Sequence, residues 1–81
     1  MSFSNRSGKF SISRKILDAN PEMALLILRN VFIVRAEYLF DRDCFEYTGL
    51  CEQFRELEEF ELSPKYCPEI HNNEVIWLDY E

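Results

Sequence analysis

The sequence predicts a small single α+β domain, with N-terminal helices packed on an antiparallel sheet of about three strands and with a short acidic helix. The 81 residues are 47% hydrophobic and include only two glycines, so there are enough apolar side chains for one core and disorder is not expected. The segment Asn20-Pro21-Glu22 is a strong helix start that precedes an apolar run. After Asn30 apolar and polar residues begin to alternate, which is the period of a strand.

We expect a single domain over residues 1–81. Its N-terminal part is predicted to hold a short strand and a short helix. Residues 1–9 are either a flexible tail or a small hairpin that brings Phe3 near the strand. The alternating residues 10–12 predict a short edge strand. Ser13 is suited to cap a short helix that runs through Asp18. Residues 19–21 must break this helix, because the residue before a proline resists helical angles.

The middle of the chain predicts a second helix followed by a β-hairpin. Asn20 can cap this helix, which continues through the apolar run to about Asn30. Strands over 32–40 and 44–48, joined by an Asp-Arg-Asp turn, then form the hairpin. One long helix from Pro21 to about Phe40 is the alternative, because short apolar runs are ambiguous. Its length matches a membrane span, but the charged residues within it disfavour insertion.

The second half of the chain predicts an acidic helix over about 50–59. Leu50, Phe54 and Leu57 recur at helical spacing, and acidic residues fall between them. Phe60 and Leu62 are expected to anchor the end of this acidic segment to the core.

The last part of the chain predicts an irregular loop, a turn and a strand. The proline-containing residues 65–70 predict the loop, and His71-Asn72-Asn73 is typical of a turn. Residues 75–78 predict a strand that pairs with the hairpin. The aromatic residues expected in the core are Phe45, Tyr47, Phe54 and Trp77.

Charge is divided unevenly between the two halves of the chain. Residues 1–40 hold six Lys and Arg against three Asp and Glu, a net charge of +3, whereas residues 41–81 hold three against twelve, a net charge of −9. The acidic half disfavours direct nucleic-acid binding, which requires cations to neutralise phosphates. It favours a partner with a basic surface. Alternatively, the charge forms only a solvated surface that keeps a small protein in solution.

The cysteines predict a reducing, cytoplasmic environment. Cys44, Cys51 and Cys67 are odd in number, and the N-terminus lacks the apolar core of a secretory signal. We therefore expect free thiols rather than a disulfide framework. The three cysteines and His71 also form a Cys3His set, but their spacing matches no common zinc site. The prediction is that the chain carries no metal and no cofactor.

The sequence does not predict an enzyme or any catalytic residue. There is one histidine, and nothing in a recognisable motif orients it towards a nucleophile. Gly8 and Gly49 stand far apart, so no glycine-rich phosphate loop is present. Acid–base catalysis also needs a pocket that shifts a carboxyl pKa, and a chain of this size seldom encloses one.

The function that the sequence favours is a non-enzymatic protein-binding module. Carboxylates interleaved with aromatic residues are typical of small interfaces, in which apolar anchors are surrounded by a charged rim. Carboxylates spaced along the chain can also occupy a groove that normally binds phosphates, which would make the protein a mimic of nucleic acid. The residues predicted to form this surface are Asp41, Asp43, Glu46, Glu52, Glu56, Glu58, Glu59 and Glu61.

In size, acidity and lack of catalytic groups, the chain resembles the small accessory proteins that phages use to inhibit host enzymes, including anti-restriction and anti-CRISPR inhibitors. The resemblance is one of class and involves no particular residues. It implies a protein partner with a basic surface, such as a nucleic-acid-handling enzyme. No membrane partner is expected, because charged residues interrupt the apolar middle of the chain. The alternative is a structural or assembly subunit, a homo-oligomer included, that binds through its apolar helix and an edge strand.

Overall fold

The computed structural model describes residues 5–79, so the predicted contact of Phe3 lies outside the described residues. The α+β class is confirmed, but strands dominate, with five strands and two short helices in this range. The elements in chain order are β1 (Ser7–Ser13), α1 (Arg14–Ala19), α2 (Pro21–Leu28), β2 (Phe32–Leu39), β3 (Cys44–Leu50), β4 (Tyr66–His71) and β5 (Glu74–Asp79).

The strands form two separate antiparallel units. The first is a three-stranded sheet in the order β1-β3-β2, and the second is the β4–β5 hairpin. The predicted hairpin in the middle of the chain is confirmed as β2 and β3. The central strand β3 pairs along its whole length with β1, from Ser7 opposite Leu50 to Ser13 opposite Cys44.

The prediction that the helices are N-terminal is wrong, because β1 precedes both of them. Alternation in the sequence marks only residues 10–12, whereas β1 runs from Ser7 to Ser13. The additional residues include Gly8 and Lys9, which have low strand propensity. Pairing with β3 supplies the hydrogen bonds that hold them in the strand.

Both helix starts follow the predicted capping. The Ser13 hydroxyl accepts a hydrogen bond from the Ile16 N–H at 3.2 Å, and the Asn20 side chain accepts one from the Met23 N–H at 3.4 Å. The second helix ends at Leu28, so the alternative of one long helix to Phe40 is wrong. Within residues 5–79 no helix has the length and apolar character needed to cross a membrane.

The predicted acidic helix over 50–59 is not formed. Leu50 still belongs to β3, and the residues that follow are irregular up to β4. Two of their backbone N–H groups bond to the N-terminal part of the chain, since Cys51 donates to the Arg6 carbonyl and Leu57 to the Asn5 carbonyl. Like charges four residues apart would also destabilise a helix here, as at Glu52 and Glu56.

The predicted loop over residues 65–70 is wrong, because Tyr66–His71 is strand β4. Pro68 does not prevent pairing, because both strands of a two-stranded hairpin are edge strands, and proline is tolerated in edge strands. The predicted turn is confirmed at Asn72 and Asn73, whose φ angles of 53° and 65° suit a two-residue hairpin turn. The final strand therefore pairs with β4 and not with the β2–β3 hairpin.

The core lies between the inner face of β1, the two helices and the β4–β5 hairpin. Among the expected core aromatics, Phe54 is fully buried, Tyr47 and Trp77 are partly buried against the core, and Phe45 is half-buried outside it. The Trp77 ring meets Phe10 and Phe54 edge-on, with centroids 4.9 and 5.0 Å apart. The buried members are Phe10, Ile12, Ala24, Ile27, Val31, Cys51, Phe54 and Tyr66.

Candidate binding surfaces

The predicted acidic residues fall in three parts of the structure. Asp41 and Asp43 lie in the turn between β2 and β3, and Glu46 lies within β3. The others lie in residues 51–65, the irregular connection between β3 and β4, which we call the acidic loop. Its members of the predicted set are Glu52, Glu56, Glu58, Glu59 and Glu61.

Asp43 has a structural role in its turn. Its φ of 51° belongs to the left-handed region, which aspartate tolerates better than most residues. The carboxylate accepts a hydrogen bond from the Tyr38 hydroxyl at 2.6 Å and lies 3.8 Å from the Arg14 guanidinium. The hydrogen bond to this anion raises the pKa of Tyr38, and its charge raises the pKa of Arg14. Asp43 is thus largely engaged within the chain.

The acidic loop is anchored by one aromatic side chain. Phe54 is fully buried and stacks on Tyr66, with ring centroids 4.6 Å apart and an interplanar angle of 9°. The Tyr66 hydroxyl accepts a hydrogen bond from the Arg55 N–H, and the Phe54 carbonyl accepts one from Arg6 Nη1 at 2.9 Å. These contacts fix the first turn of the loop against β1 and β4.

The tip of the loop is held by the carboxylate of Glu61. It accepts hydrogen bonds from Arg55 Nη2 and, at 3.0 Å, from the Glu58 N–H. These two donors, Arg55 first, hold the pKa of Glu61 below its ordinary value, and the pKa of Arg55 is raised in turn. Phe60, which lies between Glu58 and Glu61 in sequence, takes a φ of 69°, which is rare for a bulky residue.

This tip displays two large apolar side chains in solvent. Phe60 is 94% exposed and Leu62 is 86% exposed, so the prediction that they anchor the loop to the core is wrong. Their neighbours in sequence include Glu58, Glu59 and Glu61. The result is a pair of exposed apolar side chains flanked in sequence by glutamates, the composition expected of an interface anchor with a charged rim.

Part of the acidic surface is neutralised by the chain itself. Glu56 lies 3.8 Å from Arg6 and accepts a hydrogen bond from Asn5, and Glu61 pairs with Arg55. Together with Asp43, three of the eight predicted residues thus have an arginine partner. Among residues 5–79 no ion pair is found for the remaining five, which are Asp41, Glu46, Glu52, Glu58 and Glu59.

A second candidate surface is the outer edge of β2. This strand is the last in the order β1-β3-β2, so one side of its backbone has no strand partner in the described part of the chain. Phe32 and Val34 are 68% and 59% exposed, and Tyr38 and Phe40 are also exposed. A register irregularity between Ile33 and Arg35 leaves Val34 as an extra residue, while Arg35–Leu39 pairs regularly with β3.

The cysteines and His71 do not form a metal site in the described residues. Cys44 and Cys51 are buried and Cys67 is exposed, and all three are free thiols, as predicted. His71 instead contacts the Glu69 carboxylate, 3.0 Å away. Across residues 5–79 no group of three or more His, Cys, Asp or Glu side chains is placed to hold a metal ion.

A shallow groove of about 410 Å³ lies beside β1 and β4. Cys44, Cys67 and Glu46 line it together with the cations of Lys9 and Lys65. His71, the single histidine of the chain, does not line it, so no Cys–His pair is assembled in this groove.

No protein-family model matches this chain, and no curated protein or solved structure shows significant similarity to it. Function is therefore inferred from the two surfaces, the acidic loop and the outer edge of β2. The sequence indicates the acidity of the first and the strand that forms the second. It does not indicate the exposure of Phe60 and Leu62, because apolar residues before a Ser-Pro pair are equally compatible with burial.

Proposed function

We propose that this chain is a non-enzymatic protein-binding module that engages a partner with a basic surface through its acidic loop. The observation that carries the proposal is the loop tip, where Phe60 and Leu62 are almost fully exposed beside Glu58 and Glu59. Exposed aromatic side chains supply binding free energy when a partner pocket desolvates them, and the surrounding carboxylates select a partner of opposite charge.

The anchoring of the loop also supports this role. Because Phe54 is buried and Glu61 is fixed by Arg55, the tip has a defined shape before binding. A preorganised loop loses less conformational entropy on association than a flexible one. The positive φ of Phe60 is also consistent with a functional site, since strained backbone persists only where surrounding contacts impose it.

A narrower version of the proposal names the class of partner. Enzymes that bind DNA or RNA present grooves lined by Lys and Arg, and the carboxylates of the loop are complementary to such a groove. In this version the chain inhibits the enzyme by occupying the site of the nucleic acid. Competition tests it: a duplex oligonucleotide should displace the chain from the captured partner, and simultaneous binding of both would contradict it.

The main test is capture of the partner from native cells by the immobilised chain, with variants as the comparison. We expect the captured protein to be lost with Phe60→Ser/Leu62→Ser and with Glu58→Lys/Glu59→Lys. Glu74→Lys is the matched control, because Glu74 is an exposed carboxylate at the β4–β5 turn outside the loop. Affinity should fall by about tenfold or more between low and high ionic strength. A complex that is insensitive to salt and to both loop variants would contradict the proposal.

A second candidate function is an assembly subunit that binds through the outer edge of β2. The observation in its favour is that Phe32, Val34 and Tyr38 are exposed along an edge that offers unpaired backbone groups. On α2, Leu25 is also 65% exposed. Size-exclusion chromatography distinguishes the candidates, because an assembly subunit forms a stable oligomer without any other protein.

A further inference from the structure

We propose that the outer edge of β2 pairs antiparallel with β2 of a second copy, with Ala36 opposite Ala36 on the two-fold axis. The product is one sheet of six strands, three from each copy. This inference rests on the assembly role given above as the second candidate, and it is independent of the acidic loop.

The two edges of the sheet differ in a way that points to β2. At the other edge, the Lys9 N–H of β1 donates to the Pro64 carbonyl at 2.8 Å, and Lys9 forms a parallel bridge with Lys65. The β2 edge has no such cover among residues 5–79. A strand of eight residues with exposed apolar side chains and an open edge is a template for another strand.

The sequence of this segment is complementary to itself when reversed about Ala36. Residues 32–40 read FIVRAEYLF, with Arg35 and Glu37 on either side of the central alanine. In the proposed register Arg35 of each copy lies opposite Glu37 of the other, giving two pairs of opposite charge. Outside these pairs lie the apolar residues 32–34 and 38–40 of each copy, with the irregularity at Val34 interrupting regular pairing there.

The faces of the sheet restrict the alternative registers. Ala36 and Phe10 both lie opposite Tyr47, so Ala36 belongs to the face that carries the core. Residues that lie directly opposite each other in a sheet share a face. If the register between the two β2 strands shifted by one residue, the core face of one copy would therefore join the outer face of the other. The neighbouring registers that preserve the faces place Arg35 opposite Arg35 or Glu37 opposite Glu37, and like charges there are unfavourable.

The local geometry also suits the central pairs. Arg35–Leu39 pairs regularly with β3 beyond the irregularity at Val34, so the two charge pairs and the alanine pair lie in undistorted strand. Within one chain Glu37 lies opposite Glu46, a like-charge pair, and Arg35 lies 3.7 Å from Glu37. An arginine from the second copy on the free side of Glu37 would offset this repulsion further.

Charge exchange at two exposed positions tests the register. Arg35→Glu and Glu37→Arg each place like charges opposite each other in both symmetric pairs, so each variant should weaken the dimer by about tenfold or more. The double variant Arg35→Glu/Glu37→Arg restores opposite charges and should dimerise. An equimolar mixture of the two single variants should also dimerise, because all its cross-strand pairs are again of opposite charge.

The measurement is sedimentation equilibrium of the full chain from about 10 µM to about 1 mM, where mass action reveals weak association. Glu74→Arg is the matched control, since it makes the same charge change as Glu37→Arg at an exposed position outside β2 and the acidic loop, and it should dimerise like the wild type. Circular dichroism checks that every variant is folded. The proposal is supported only if the wild type dimerises, both single variants do not, and their mixture does.

The possible negative results of this experiment can be told apart. A wild-type chain that stays monomeric overturns both the self-pairing and the assembly role. Single variants that dimerise as well as the wild type overturn the β2 register while leaving assembly through another surface. A mixture that stays monomeric also overturns the register. The function proposed for the acidic loop fails separately, by loss of salt dependence, and β2 variants should leave that binding unchanged.

Discussion

The two outer strands of the three-stranded sheet, β1 and β2, flank the same central strand but have opposite environments. On β1, Phe10 and Ile12 are each only 2% exposed, because the helices and the β4–β5 hairpin pack over them. On β2, Phe32 is 68% exposed, and Val34 and Tyr38 are exposed as well. One sheet therefore has a covered half and an open half.

This difference shows that a strand pattern and a buried strand are separate properties. Both strands show alternation in sequence, and both pair with β3, without interruption in β1 and with one irregularity at Val34 in β2. Burial was added by a second layer that reaches only the β1 side. Apolar residues on the covered half stabilise the fold, whereas those on the open half remain available for association.

The largest expected effect comes from the same substitution in each half. Phe10→Ala should lower the free energy of unfolding by about 3–5 kcal/mol, because it leaves a cavity beside Trp77 and Tyr47. Phe32→Ala should change it by less than about 1 kcal/mol at low protein concentration, because little apolar surface is buried there. Urea denaturation followed by fluorescence measures both, and equal losses would show that the open half is covered in solution.

An intermediate effect is expected where a methyl group is added to the covered half. In Gly8→Ala the new Cβ would lie 2.6 Å from the Tyr66 ring and 3.0 Å from Phe54, so the packed aromatic pair must move. Overpacking of this kind costs about 1–3 kcal/mol of stability. Ala36→Val is the control on the open half and should change stability by less than about 0.5 kcal/mol. A neutral Gly8→Ala would mean that the pair adjusts freely.

The smallest effect is expected at the contact that joins the two halves. There the Tyr38 hydroxyl of β2 donates a hydrogen bond to Asp43, and the Asp43 carboxylate also faces Arg14 of α1. The hydrogen bond to Asp43 raises the pKa of Tyr38 in the folded state. The Tyr38–Asp43 hydrogen bond therefore contributes fully to stability below the pKa that tyrosine has in the unfolded chain. This contribution is lost as the pH rises through the higher pKa of Tyr38 in the folded state.

An NMR titration of the tyrosine ring carbons measures this pKa. We expect Tyr38 to titrate above its ordinary value, and Asp43→Asn should lower the midpoint by removing the charge of the acceptor. Tyr47 is an internal reference, because burial alone raises its pKa and the Asp43 variant should not move it. A Tyr38 midpoint that is the same in both proteins would show that the hydrogen bond is not formed in solution.

The sequence predicted the local elements well where a short-range signal existed. Ser13 and Asn20 cap their helices, and alternation correctly predicted the β2–β3 hairpin. The predicted turn at Asn72-Asn73 joins β4 to β5. It failed where partners distant in sequence decided the structure. The segment after Leu50 has helical spacing, yet the N–H groups of Cys51 and Leu57 donate to the carbonyls of residues 6 and 5, and Phe54 packs against Tyr66 and Trp77.

For the candidate surfaces, too, the sequence indicates the composition but not the contacts between distant residues. Composition alone indicates an acidic second half, and eight carboxylates were named from it. Three of them have arginine partners, and two of those, Arg6 with Glu56 and Arg14 with Asp43, join residues far apart in sequence. No local pattern reveals such pairs, because each depends on how separate elements are brought together.

By itself the amino-acid sequence determined the α+β class, the helix caps, the hairpin turns, the free thiols and the self-complementary order of residues 32–40. Only the tertiary structure decided that β1 is covered, that β2 is an open edge and that Phe60 and Leu62 are exposed. The physical reason is range. Caps, turns and alternation depend on neighbours in sequence, whereas burial depends on which distant elements share the limited core of a small domain.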